Sequence, residues 1–102
     1  MSNGRRETLQ QLLAQDPSNA LARYGLAMDF VNSGELEPAI AEFEMLLGTK
    51  PDYSAAYFHG GQTLEKLGRI DDARDWYRRG VAVARDPHQR SELQAALDIL
   101  GE

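Results

Sequence analysis

The chain has 102 residues, of which 42% are hydrophobic, and this is enough for one compact domain with a core of modest thickness. Its net charge of -5 argues against general nucleic-acid binding, which needs a concentrated basic surface. Cysteine is absent, which excludes disulfides and thiolate chemistry, and no apolar run approaches the ~20 residues that span a bilayer. Residues 1–6 lack the apolar stretch of a signal peptide, so we expect a cytoplasmic protein that binds neither nucleic acid nor membrane.

Hydrophobic periodicity in the first half of the chain predicts three helices. The first covers about residues 5–15 and stops before Pro17, because a proline cannot continue a helix. The second covers about residues 19–32, and Gly34 suits the left-handed turn that ends it. The third covers about residues 36–48 and is expected to run antiparallel to the second.

The second half of the chain repeats this organisation and adds a final helix. A helix over about residues 53–66 is expected to take its N-cap from Asp52 or Ser54, since both side chains accept hydrogen bonds from free backbone N–H groups. Its partner covers about residues 70–84, and the last helix covers about residues 88–100. No β-alternation of useful length occurs, so the predicted fold class is all-α.

Small, apolar and turn residues recur along the chain at a fixed interval of 34 residues. A period of this length predicts stacked supersecondary units, each too small to bury its apolar face alone. The small members allow helix axes to approach closely, and the large members fill the remaining space. The recurring pairs are Pro17 and Pro51, Tyr24 and Phe58, Phe30 and Leu64, Gly34 and Gly68, Ala39 and Ala73, and Phe43 and Tyr77.

The repeated residues resemble those of the tetratricopeptide repeat (TPR) family. They form two whole repeats, residues 20–53 and 54–86, flanked by an N-terminal half-repeat helix at 1–19 and a C-terminal capping helix at 87–102. The resemblance implies a single TPR-like domain over residues 1–102, built as a right-handed superhelical stack of antiparallel helix hairpins with about six helices. It also implies a scaffold for protein–protein interaction. The matching positions are Ala27 or Gly61, Phe30 or Leu64, Gly34 or Gly68, Ala39 or Ala73, Phe43 or Tyr77, and Pro51.

Three positions depart from the family's pattern. Arg23 stands where the family favours a large apolar residue, whereas Tyr57 in the second repeat obeys the rule. Gly60 stands where the first repeat has Leu26. Pro87 falls two residues later than the period demands.

The chain offers no set of residues for catalysis. Its only histidines, His59 and His88, have no close carboxylate–histidine spacing, and the motifs of phosphate-binding loops, zinc proteases and serine hydrolases are missing. We therefore expect no enzyme, no catalytic residue, no metal and no cofactor. The pair Gly60-Gly61 falls within a helix, which favours close backbone packing over a phosphate-binding loop.

The helix over about residues 70–84 carries two neighbouring aromatic residues. Tyr77 holds the repeat's core position, and Trp76 is assigned to the edge of the helix pair or to an interface, with contact to a partner as the alternative. Acidic and basic residues alternate on the same helix. They are expected to form a solvated face with pairs such as Asp75 and Arg79.

The favoured functional surface is a concave groove lined by the first helix of each repeat. Aromatic and thioether side chains with polar neighbours suit an extended peptide or an amphipathic helix of a protein partner. The alternative is that these side chains only pack against neighbouring helices. Some TPR proteins clamp the C-terminal carboxylate of a chaperone with lysines and asparagines, but Tyr24, Met28 and His59 hold those places here, so the clamp is not expected. The candidate groove residues are Tyr24, Met28, Asn32, Phe58, His59, Gln62 and Lys66.

A structural or self-associating assembly unit is the alternative function. Two repeats with a half at each end fall short of the about three repeats that a solenoid generally needs. The terminal helices therefore either act as caps or contact another copy of the chain. In the second case the chain forms a homodimer or is a fragment of a longer repeat array. In the last helix Leu93 and Leu97 are expected to face inward and Ile99 to stay exposed.

Overall fold

A computed structural model describes residues 2–101. Six helices account for the secondary structure over that range, and no strand occurs within it, so the predicted all-α helical repeat fold is confirmed. The predicted helix bounds differ from the observed ones by at most three residues. The helices are α1 (Ser2–Gln15), α2 (Ala20–Asn32), α3 (Leu36–Thr49), α4 (Ser54–Lys66), α5 (Ile70–Val83) and α6 (Pro87–Leu100).

The residue contacts cluster in two compact units. Unit one is Met1–Pro51 and contains α1 to α3, and unit two is Asp52–Glu102 and contains α4 to α6. The single domain over residues 1–102, its repeat boundaries and its right-handed stacking stay predictions. Residues 1 and 102 of that predicted domain lie outside the described part of the chain.

Each unit contains a helix hairpin that turns on a glycine. Gly34 and Gly68 both have φ near +79°, in the left-handed region that side chains with a Cβ disfavour. The amide of Glu35 donates to the carbonyl of Phe30 at 2.9 Å, and the amide of Gly34 donates to Val31 at 3.0 Å. This pair of bonds satisfies free carbonyls at the end of α2, and the same pattern follows α4. The predicted left-handed turns are confirmed.

The core of unit one lies on both sides of α2. Against α1, α2 buries Leu26 beside Leu13, whereas Leu12 of α1 is 42% exposed. Against α3, Ala27 and Phe43 are fully buried, as the repeat pattern predicts. The two helices thus bury a small residue from one and a large ring from the other, which is compatible with close packing of the pair.

A cluster of polar side chains fastens α1 to the hairpin of unit one. The Arg6 guanidinium donates to the carboxylate of Asp29 at 2.7 Å and to that of Glu35 at 2.8 Å. The Cζ atom of Arg6 lies 4.3 Å from the centre of the Phe30 ring, within cation–π range. Because Asp29 is only 7% exposed, the ion pair with Arg6 compensates for the water that this carboxylate has lost.

Arg23, which departs from the family's apolar preference, has polar partners within unit one. Its guanidinium donates to Glu42 at 2.7 Å and to the carbonyl of Pro17 at 3.1 Å. The ion pair joins α2 to α3, and both side chains are mostly buried. The charged residue therefore replaces an apolar contact without leaving a buried charge unpaired.

The core of unit two is built from rings that lie over glycines. Tyr77 is fully buried against Gly61, and Trp76 lies against Gly60 with its ring centre 6.2 Å from that of Tyr57. An edge-to-face arrangement of this kind is favoured between aromatic rings. Trp76 is 8% exposed, so the structure supports its packing role between α4 and α5. The close packing expected of the glycine pair is confirmed.

The predicted N-cap of α4 is wrong. Tyr53 occupies that position, and its side chain makes no capping hydrogen bond. Ser54 instead lies inside the first turn, where its hydroxyl donates to the side-chain oxygen of Gln89 in α6. The carboxylate of Asp52 faces Arg85 at 3.6 Å. Tertiary partners in unit two thus take both side chains away from the helix end.

Candidate functional site

The candidate residues of unit one share one face of α2. Tyr24, Met28 and Asn32 follow each other at intervals of four residues, which places them one above the other along the helix. Tyr24 is half-buried, and its ring centre lies 6.3 Å from that of Phe43 in α3. Asn32 is exposed at the last residue of the helix. Tyr24 therefore packs on the hairpin while part of its ring stays accessible.

The candidate residues of unit two occupy the matching face of α4. Phe58, Gln62 and Lys66 have the same spacing, and His59 lies beside them. Phe58 is half-buried, with its ring centre 5.2 Å from His59 and 6.4 Å from Tyr77, whereas Gln62 and Lys66 are exposed. Each half of the candidate set thus lies on one helix face of its own unit. A single groove formed by both halves stays a prediction.

Unit two contains a cleft between α4 and α6. It has a volume of about 330 Å³, with Phe58 and Tyr77 at its apolar side and Ile99 at its edge. Ile99 is 84% exposed, as expected, so a large aliphatic side chain stands in solvent beside two rings. We call this space the α4–α6 cleft. Its lining residues are Phe58, Gln62, Glu65, Tyr77, Glu92, Ala95, Ala96 and Ile99.

A smaller cavity of about 180 Å³ lies along the same pair of helices. Phe58 and Glu92 line both spaces. His59, Gln89 and Leu93 complete the smaller one, together with two small residues at the start of α4. The two spaces therefore form a continuous candidate surface along α4 and α6, with one aromatic ring and one carboxylate in common.

Two carboxylates give the α4–α6 cleft its charge. The hydroxyl of the buried Tyr77 donates to Glu65 at 2.5 Å, which supplies the polar partner that a buried phenol requires. Burial and this neighbouring carboxylate together raise the pKa of Tyr77, so the phenol stays protonated and keeps donating. The second carboxylate, Glu92, projects from α6 and is 47% exposed. No lysine or arginine belongs to the lining of either space in this part of the chain.

His59 contributes a polar but neutral wall. Burial lowers its pKa below the ordinary value, although the hydrogen bond with Gln62 and the charge of Glu92 act in the opposite direction. The imidazole is therefore uncharged near neutral pH and does not offset the carboxylates. Across residues 2–101, no group of three or more His, Cys, Asp or Glu side chains is arranged to hold a metal ion.

The charged face of α5 lies apart from the cleft lining and consists of ion pairs. Asp75 faces Arg79 at 3.6 Å, which confirms the predicted pair. Arg74 lies 2.6 Å from Asp71 and also donates to the carbonyl of Gly101 at 2.7 Å. Arg74 and Arg79 therefore point toward neighbouring acids, and Arg74 also reaches the end of α6.

The α6 wall of the cleft is the part that sequence reasoning missed. Ala95 of α6 lines the cleft, whereas Gln94 donates to Asp98 at 2.9 Å and neither of these two residues belongs to the lining. Glu92 and Ile99 do line it. The usable signal is their spacing of seven residues, which places them on the face that α6 turns toward α4.

In the part of the chain that the structure describes, each helix is too short or too polar to pass through a bilayer.

Comparison with known proteins identifies the repeat. The family model described as tetratricopeptide repeat matches residues 6–53 and again residues 24–90. A TPR repeat-containing protein of Pseudomonas aeruginosa is 31% identical over 78 residues, which cover 76% of this chain and 74% of that protein.

Solved structures agree with this assignment. A tetratricopeptide repeat domain protein from Salinibacter ruber is 39% identical, with a TM-score of 0.79 over 84% of this chain and 90% of that one. The type III secretion translocator chaperone of Yersinia enterocolitica shares the fold, with a TM-score of 0.89 at 16% identity over 97% of this chain and 71% of that one. The repeated residues, the glycine turns and these matches together show that the chain belongs to the tetratricopeptide repeat family.

Proposed function

We propose that this protein is a protein–protein interaction module that binds a peptide or a helix of a partner along the first helices of its repeats. The proposal includes a cytoplasmic location and no dedicated nucleic-acid, membrane or cofactor ligand. Membership of the TPR family supports the general role, since such domains are commonly protein-interaction scaffolds. The partner's name does not follow from the fold.

The observation that carries the proposal is the α4–α6 cleft. Its two ring-bearing residues line the same space as an aliphatic side chain that is 84% exposed, and two small alanines line it as well. Exposed apolar surface with a polar border is typical of sites for protein partners. A volume of about 330 Å³ is at the lower end for small-molecule pockets, and it suits a few side chains of a peptide.

The shape of the Yersinia neighbour offers indirect support. That protein is a translocator chaperone, and its fold matches nearly the whole of this chain. At 16% identity the likeness concerns the fold alone. A chaperone is thus among the proteins with this fold, which agrees with the proposed role.

Quantitative capture of partners from native lysate tests the proposal. Wild type is compared with Ile99→Ser, which removes the exposed side chain of the cleft, and with Tyr24→Ala/Phe58→Ala, which removes the aromatic residues of both candidate faces. Leu12→Ser is the matched control, because Leu12 is an aliphatic residue of α1 that is 42% exposed and lies outside the cleft. We expect wild type and the Leu12→Ser control to capture the same partners. The Ile99→Ser and Tyr24→Ala/Phe58→Ala variants are expected to lose them. Equal capture by all four proteins would contradict the proposal.

Self-association is a second candidate function. Leu21 and Ile99 are 74% and 84% exposed, which favours contact with a further copy of the chain. Sedimentation velocity over a range of concentrations tests this. A sedimentation coefficient that rises with concentration in wild type and not in the Ile99→Ser variant supports a homodimer, and a constant monomer value contradicts it.

A further inference from the structure

We propose that the segment bound in the α4–α6 cleft is a basic amphipathic peptide or helix of a partner protein, with apolar side chains against Phe58 and Ile99 and lysine or arginine side chains at Glu65 and Glu92. This inference rests on the proposed function and names the chemistry of the partner. The charge of this cleft is opposite to that of a carboxylate clamp, because the cleft is lined by the carboxylates Glu65 and Glu92 and such a clamp uses lysines.

The apolar part of the cleft determines where a partner's large side chains lie. Phe58 is half-buried, so one part of its ring rests on Tyr77 and the rest is open to the cleft. On the α6 side, Ala95 and Ala96 contribute only small side chains to the lining, and Ile99 contributes a large exposed one. A helix that lies along this surface needs apolar residues on one stripe only, at intervals of three and four residues.

The two carboxylates come from the two different helices that line the cleft. Glu65 belongs to α4 and Glu92 to α6, and both line the same space as Phe58. The hydrogen bond from the buried Tyr77 holds Glu65 in place before any partner arrives. A carboxylate that is already oriented loses little side-chain entropy when a cation binds it.

The arginine and lysine side chains of unit two do not line the cleft, and neither does His88, whose imidazole lies 3.8 Å from the carboxylate of Glu92. Arg69 pairs with Asp72 at 2.9 Å, and Arg74 and Arg79 pair with acids of α5. None of these arginines belongs to the cleft lining. Charge complementarity therefore favours a cationic partner segment over an acidic or neutral one.

Selection from a random peptide library tests both the cleft and its charge preference. Peptides of about 16 residues, long enough for four helical turns, are displayed on phage and selected on the wild-type chain. Peptides that also bind the Ile99→Ser variant are removed, and circular dichroism confirms that this variant is folded. We expect the remaining peptides to carry apolar residues at helical spacing together with an excess of lysine and arginine.

The outcomes separate this inference from the proposed function. Cleft-dependent peptides that are acidic or neutral would overturn the inference and leave the proposed function standing. The absence of any cleft-dependent peptide would overturn both. Selected peptides that match a segment of this chain would identify a second copy as the occupant and overturn the proposed class of partner.

One selected peptide then measures the contribution of each carboxylate. Fluorescence anisotropy compares its affinity for wild type, Glu65→Gln, Glu92→Gln and the double variant. We expect about twofold to fivefold weaker binding for each single change and about tenfold for both, with smaller differences at about 0.5 M salt. Glu65→Gln keeps an acceptor for the Tyr77 hydroxyl, so the change removes charge and not the hydrogen bond.

Glu44→Gln provides the matched control. Glu44 is an exposed residue of α3 outside the cleft lining, and its replacement removes one charge without touching the cleft. If Glu44→Gln weakened peptide binding as much as the cleft variants do, the loss would reflect net charge alone. That result would overturn the assignment of Glu65 and Glu92 as the sites for the partner's lysine or arginine side chains. Unchanged affinity in the double variant of the cleft would overturn it as well.

Discussion

The packing of Tyr77 on Gly61 predicts that a side chain larger than hydrogen at position 61 destabilises unit two. In Gly61→Ala, the added Cβ would stand 2.7 Å from Cζ and 2.8 Å from Cδ1 of the Tyr77 ring, and closer still to Cε1. Real Cβ atoms do not approach other heavy atoms this closely. Because the ring is fully buried and its hydroxyl is bonded to Glu65, a displacement of the ring would disturb both its packing and this hydrogen bond.

Two opposing effects determine the magnitude. Overpacking of a well-packed core costs about 1–3 kcal/mol, and a rigid buried ring points to the upper end of that range. Alanine is a better helix former than glycine by about 1 kcal/mol, which offsets part of the cost. The net loss in the free energy of unfolding is therefore about 2 kcal/mol. For a chain of this size, that corresponds to a fall in Tm of about 8–16 °C.

Gly48→Ala is the matched control for this experiment. Gly48 lies in α3, and an added Cβ there meets no atom within 4 Å. The same substitution in open space is expected to leave stability unchanged or raise it by up to about 1 kcal/mol. Urea and thermal unfolding of both variants, followed by helical circular dichroism, give the comparison.

The result that would refute the reasoning is a Gly61→Ala variant as stable as the wild type or as Gly48→Ala. A double-mutant cycle with Tyr77→Leu adds a sharper criterion. Removal of the ring removes the obstacle, so we expect Gly61→Ala to cost much less in the Tyr77→Leu background. Equal costs in both backgrounds would show that the ring is not the obstacle.

Three further predictions concern the polar cluster and the turns. Arg6→Met removes the cation beside the buried Asp29, so we expect the free energy of unfolding to fall in urea titrations. Hydrogen bonds from Ser33 and then Arg6 lower the pKa of Glu35 below its ordinary value of about 4.3. Its stabilising effect is therefore complete above that pH and is lost as the pH falls through the folded-state pKa, so the stability difference between wild type and Glu35→Gln shrinks in acid. Gly68→Ala places a Cβ on a residue with φ of +79° and is expected to cost about 1–2 kcal/mol by the same titration.

Each of these has its own control or contrary result. Arg5→Met, at an exposed neighbouring position, is expected to change stability by less than about 0.5 kcal/mol, and a loss equal to that of Arg6→Met would contradict the role of the cluster. A stability difference for Glu35→Gln that stays constant down to about pH 3 would contradict the lowered pKa. Gly68→Ala is compared with Gly48→Ala, and equal stability of the two would argue against strain at the turn.

The helices and their repeat follow from signals that act over a few residues. Apolar side chains at helical spacing mark each helix, and Gly34 and Gly68 end the first helix of each hairpin because they adopt positive φ without a clash. The interval of 34 residues then pairs Ala39 with Ala73 and Phe43 with Tyr77, and all four are fully buried. Periodicity, turn chemistry and repetition are properties of the sequence itself, so the fold class and helix bounds could be predicted without coordinates.

The contents of the candidate site depended instead on contacts between residues far apart in sequence. The sequence places Phe58, Gln62 and Lys66 on one face of α4, but only the position of α6 selects Glu92 and Ile99 as the opposite wall. The same holds for Ser54, whose hydroxyl bonds to Gln89 and not to its own helix. A local pattern indicates which face of a helix is apolar. It does not say which neighbour that face meets or where two helices leave a space, because these depend on the packing of side chains from separate parts of the chain.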